Sequence, residues 1–121
     1  LSYTRFERAI AGIECDGDTV SVAVDVINRG DVVGADVVQC YIGYPGTVRP
    51  RAAFDLKGFA RVTLEPAEAQ RVTIAIPVAT LCYRDTTLHR WALEPGTYRA
   101  IIAGAATDPA PLLVEFLMPG T

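Results

Sequence analysis

The segment TVSVAVDVIN places Val20, Val22, Val24 and Val26 at every second position, with Ser21, Ala23 and Asp25 between them. Side chains along a β-strand point alternately to opposite faces, so one face of this segment is apolar and the other polar, the pattern of a half-buried strand. DVVQCYIG repeats it with Val38, Cys40 and Ile42, and GFARVTL with Ala60, Val62 and Leu64. RVTIAIP (Val72, Ile74, Ile76), TYRAIIAG (Tyr98, Ala100, Ile102) and LLVEFL (Leu112, Val114, Phe116) follow, giving at least six strands. Turn signals separate them at short intervals: Asp16-Gly17, Asn28 with Gly30, and two Glu-Pro steps in LEPAEA and LEPGT. Many short strands with such punctuation and little helical pattern predict an all-β fold, a sandwich of two antiparallel sheets.

The 121 residues contain no repeat, low-complexity tract or linker, and AATDPAPL reads as the loop before the last strand. One domain over residues 1–121 is therefore expected, long enough to bury roughly two-thirds of its unfolded surface. The formal charge is −3 and the eleven Lys and Arg are scattered, so the cationic stripe that displaces counterions from nucleic acid is missing. No apolar run approaches the ~20 residues that span a bilayer, so neither nucleic acid nor membrane is expected as a partner. Cys15, Cys40 and Cys82 show no CxxC spacing, and His89 is the only histidine. They read as small apolar residues and an occasional surface thiol rather than a zinc site or a disulfide framework, with one disulfide among the three left open; no cofactor or metal is expected.

In TRFERAIAGI the apolar Phe6, Ile10 and Ile13 are spaced three to four apart, Thr4 and Glu7 form a capping-box pattern, and Gly12 stands where a helix would end. Local rules alone predict a short helix here. LEPGTYRAI points elsewhere: a Leu, then Pro-Gly-Thr, then a Tyr entering an alternating strand resembles the segment that leads into a late core strand of fibronectin type III domains. In immunoglobulin-like and fibronectin type III-like sandwiches a tyrosine near such a corner returns its hydroxyl to upstream backbone. Tyr98 is the candidate, with Leu93 as its core anchor.

LSYTRF, VINRGDVVGADVVQCYIG, RPRAAFDLKGFARVTLEPAEAQRVTIAI, LCYRD and HRWALEPGTYRAIIAG, in this order and spacing, resemble the C-terminal fibronectin type III-like domain of glycoside hydrolase family 3, which contains β-glucosidases and β-xylosidases. The resemblance runs to about Gly104; Leu56-Lys57-Gly58-Phe59 and the opening Leu-Ser-Tyr-Thr are its most specific parts. It implies extended chain rather than helix near Phe6, and that reading is preferred. It also implies that LSYTRF is the edge of an accessory domain cut from a longer glycosidase, whose catalytic domains are then its partners. Cys40 departs from the family pattern, as do Ala52, Ala53 and Phe54. A phenylalanine is unusual on a solvent-facing loop, so Phe54 is a candidate contact with another domain.

Glycoside hydrolysis commonly uses two carboxyl groups roughly 5–9.5 Å apart around a sugar pocket. The acids here read as turn and loop residues: Asp16 and Asp18 at a hairpin, Asp31 and Asp36 at a strand connection, Glu65, Glu68 and Glu94 beside prolines or in polar loops. Asp85 is expected at a bend, capping backbone donors or pairing with an arginine, and His89 exposed on a polar turn without a nucleophile-elbow serine. By the resemblance, the nucleophile and acid/base of the parent lie in domains this chain lacks. No catalytic residue is assigned, and the expected function is a non-catalytic accessory domain that stabilises the catalytic domains. The rival readings are a carbohydrate-binding module, with polysaccharide as partner, and a free-standing adhesion sandwich. The candidate interdomain or sugar contacts are Tyr44, Phe54, Tyr83 and Trp91. Tyr41 is a further ring for a sugar platform, and Trp91 is expected mainly to anchor packing.

Overall fold

The computed structural model describes residues 5–46, 54–104 and 111–119. Among the described residues nine strands follow one another: β1 (Phe6–Asp16), β2 (Thr19–Asn28), β3 (Gly34–Gly43), β4 (Asp55–Leu64), β5 (Ala69–Pro77), β6 (Tyr83–Asp85), β7 (Arg90–Ala92), β8 (Gly96–Ala103) and β9 (Leu112–Met118). A 3-10 turn, Val78–Leu81, joins β5 to β6. The strands form a three-stranded sheet in the order β1-β2-β5, a four-stranded sheet in the order β4-β3-β8-β9, and a small β6-β7 hairpin. Every pairing is antiparallel. The predicted all-β sandwich is what the chain forms, and among the described residues no helix is long and apolar enough to cross a membrane.

The core lies between the two sheets and is supplied by the alternating positions. Val20, Val22, Val24 and Val26 are fully buried, and Val38, Cys40 and Ile42 meet them from β3. Ile74 and Ile76 of β5, Val62 and Leu64 of β4, and Ala100 and Ile102 of β8 complete it. At Gly58 the sheets lie too close for a side chain: a Cβ there would stand 2.6 Å from Cγ2 of Ile74.

The helix-like spacing at the start of the chain has a specific cause. β1 pairs with β2 through Arg8↔Val26 and Ile10↔Val24, then the register shifts so that Gly12 faces Ala23 and Ile13 faces Val22. Ala11 is the extra residue of a β-bulge, which resets the alternation and lets Ile10 and Ile13, three apart, both point inward. A bulged strand thus imitates one turn of helix in the sequence.

Two polar groups inside the sandwich hold its connections. Asn28 is wholly buried: its side-chain amide donates to the carbonyls of Val32 and Leu64, and its Oδ1 accepts from the Gly30 N–H. Asp36, expected at a turn, instead lies within β3 and is buried. It takes both Arg8 donors, Nε at 2.7 Å and an Nη at 2.8 Å, forming a bidentate ion pair from one sheet to the other. A Cβ at Gly104 would fall on the Arg8 guanidinium, so the end of β8 is open where that side chain passes.

Candidate interdomain surface

The corner leading into β8 forms around Tyr98. Gly96 opens the strand with φ 133°, a conformation that L side chains rarely adopt, and Pro45 fills the space where its Cβ would be. Tyr98 enters the core, and its hydroxyl donates to the Glu94 carbonyl at 2.7 Å. Its ring stacks on Phe116, with centroids 5.7 Å apart, and meets Tyr44 edge-on at 6.1 Å. Leu93 is buried beside it, as predicted; Glu94, read as a polar-loop residue, is buried too.

The structure separates the four candidate rings. Tyr44 is only 6% exposed, and its hydroxyl donates to Asp55 Oδ2 at 2.8 Å. The loop reading overlooked that its polar end has a partner inside the fold, so this ring is not offered to a ligand. Trp91 is 66% exposed and not a core anchor. It lies on β7 opposite Arg84, whereas Tyr83 is half-buried and opposes Ala92. Adjacent rows of a two-stranded ribbon face opposite ways, so Tyr83 and Trp91 cannot form one platform. Phe54 is half-buried under the Arg99 guanidinium, whose carbon stands 4.8 Å from the ring centroid. Asp85 accepts the Thr87 and Leu88 N–H groups at 3.0 Å each, the predicted backbone cap, and His89 is exposed at a residue with φ 53°.

The outer faces of the two sheets differ in kind. On the three-stranded sheet, Glu7, Glu14, Ser21, Asp25, Arg71 and Thr73 point outward. There Arg71 grips Asp25 through Nε at 2.7 Å and holds its carboxyl below the usual carboxylate range by that hydrogen bond. On the four-stranded sheet, register places Leu56 of β4, Tyr41 of β3, Ile101 of β8 and Leu113 of β9 in one row across all four strands. Phe59 and Leu117 flank this row, at 69% and 75% exposure. Sequence reading missed this face, because each residue lies singly among polar neighbours along its own strand; only pairing joins them.

The family model of the fibronectin type III-like domain matches residues 36–106, more than half of the chain. The chain belongs to the fibronectin type III-like domain family. The domain is 37% identical over 118 residues to a probable β-glucosidase I of Aspergillus clavatus, a match covering 89% of this chain and 14% of that protein. Among solved structures it is similar to the β-glucosidase of Kluyveromyces marxianus, with a TM-score of 0.84 and 33% identity over 100% of this chain and 15% of the other. It is also similar to β-glucosidase 3B of Thermotoga neapolitana in complex with α-D-glucose, with a TM-score of 0.85 and 28% identity over 100% and 17%. The fibronectin type III-like domain thus spans about one-seventh of the length of the relatives it matches.

Among its described residues no group of three or more His, Cys, Asp and Glu is placed to hold a metal ion. The three cysteines are free thiols: Cys15 exposed, Cys40 buried and Cys82 between the two. Burial pushes the Cys40 thiol up to about 12, so it remains a protonated core side chain.

Proposed function

We propose that this chain is the accessory domain of a β-glucosidase, one module over residues 1–121 with no catalytic part of its own, which braces the larger catalytic body. The observation that carries this reading is the match of nearly the whole chain to a one-seventh segment of β-glucosidases from fungi, at 35–39% identity. Holding neighbouring domains in fixed orientation is the chemistry open to such a module: it contributes buried area and keeps a pocket built elsewhere in its working geometry. Deleting the segment from the full-length enzyme tests the idea. A brace predicts a lower melting temperature or solubility before any change in the chemical step; unchanged stability and turnover would refute it.

The carbohydrate-binding reading asks for exposed, roughly coplanar rings. Tyr44 is buried, Tyr83 and Trp91 face apart, and Tyr41 lies half-buried with its hydroxyl donating to Gln39 Oε1 at 3.1 Å. Retention of the chain on insoluble glucan would revive that reading.

A further inference from the structure

We propose that the outer face of the four-stranded sheet, centred on the row Leu56, Tyr41, Ile101 and Leu113, is the surface on which the remainder of the β-glucosidase chain docks. This rests on the accessory-domain reading and names the side of the domain that does the bracing.

Three observations converge on it. The first is contrast. The three-stranded sheet turns ion pairs and hydroxyls to solvent, while the four-stranded sheet exposes Phe59, Leu113, Leu117 and Leu56, the last two at 75% and 49%. Neighbouring strands lie about 4.8 Å apart, so the row from β4 to β9 spans about 14 Å, and the adjacent same-face row at Phe59 adds about 7 Å along the strands. Large exposed apolar side chains gathered on one sheet face and rimmed by charge mark an interaction surface, and such a face suits the centre of an interdomain contact.

The second observation is the manner of contact. β3 pairs Cys40 with Gly58 and Tyr41 with Leu56, leaving Lys57 as a bulge on the β4 edge, its ammonium donating to the Thr80 carbonyl at 2.8 Å. A bulge and a lysine blunt the β4 edge against strand addition, which favours contact through the face on that side of the sheet. Pairing sets Arg99 and Glu115 between the Ile101–Leu113 row and Leu117, and Arg61 beyond Phe59, so the apolar centre of Leu56, Tyr41, Ile101, Leu113 and Phe59 has charge on both sides.

The third is occupancy. The matched relatives are about seven times longer than the segment matched, so in each the domain is tethered to a body several times its size. A tethered partner acts at an effective concentration in the millimolar range, well above that of a second free copy. The occupant is therefore the enzyme's own remaining chain.

The test uses the full-length enzyme. Leu113→Lys combined with Phe59→Glu should lower its melting temperature by several degrees and speed release of this segment by trypsin, while Thr73→Lys on the opposite face leaves both unchanged. Both altered positions are exposed, but domain folding is kept out of the question by oxidative footprinting of the unaltered enzyme. Phe59, Leu113 and Leu117 should be modified at least fivefold more slowly in the native enzyme than in urea. Modification at the unfolded rate overturns the proposal, as does a native dimer that the double variant converts to monomer, since a second copy would then be the occupant. If deleting the segment destabilises the enzyme while the face variants do not, only the choice of face fails; if deletion has no effect, the accessory reading fails with it.

Discussion

The Tyr98 hydroxyl donates to the Glu94 carbonyl at 2.7 Å, tying the first core ring of β8 to the backbone just before the Pro95-Gly96 corner. Removing the hydroxyl takes one donor from the carbonyl of a fully buried residue. Tyr98→Phe is expected to cost about 1–2 kcal/mol, read as a lower urea midpoint with an unchanged m-value. An unchanged midpoint would mean that the corner is held by the glycine and the ring stacking alone.

Gly58 and Ile74 define how closely the sheets approach. A methyl at Gly58 would collide with the β-branched Ile74, so Gly58→Ala is expected to destabilise by about 1–3 kcal/mol. Ile74→Ala alone should cost about 2–5 kcal/mol. If the collision is the cause, the double variant will cost less than the sum of the two, a coupling that a thermodynamic cycle measures directly.

Arg8 and Asp36 join the sheets through a bidentate pair whose side chains are 13% and 5% exposed. Asp36→Ala removes the bidentate partner of a largely buried guanidinium, with an expected loss of about 2–4 kcal/mol, whereas Arg8→Met with Asp36→Leu is expected to return most of it. Thermal unfolding of the single and double variants separates these cases; equal loss in both would show that the pair's geometry is needed and not merely its neutralisation.

Cys40 gives a pH signature. Its thiol ionises in the folded chain only near pH 12, while the unfolded chain releases that proton near the ordinary thiol value of about 8.5. The native state therefore holds more protons between those values, and stability falls as pH rises through that window. Native Cys40 is expected to resist alkylation at pH 8 and to react once the chain unfolds. Cys40→Ala should flatten the alkaline decline, while a decline of unchanged slope would assign it to other groups.

Trp91 is the one tryptophan, and 66% of it meets solvent in this chain. Its fluorescence is expected to be quenched freely by acrylamide in the folded 121-residue chain, and Trp91→Ala to change stability by less than about 0.5 kcal/mol. Strong protection from quencher would show that the hairpin packs against something.

Strand positions and the class of fold are legible in the order of residues alone. Alternation at Val20 to Val26, Val38 to Ile42 and Val72 to Ile76 needs no partner to be read, because a strand's side-chain direction is a property of its own backbone. The Tyr98 corner and the Asp85 cap were legible for the same reason: both are made within a few residues of chain. What spans the sheets was not. Ala11 becomes a bulge only against β2, Asp36 becomes an ion-pair partner only when Arg8 arrives from β1, and Tyr44 is buried only because Asp55 and Tyr98 stand beside it. The apolar face follows the same rule, since Leu56, Tyr41, Ile101 and Leu113 lie up to 72 residues apart in the chain and share a row only through strand pairing. Local backbone geometry is written in neighbouring residues; burial and surface character are set by whatever long-range pairing brings alongside.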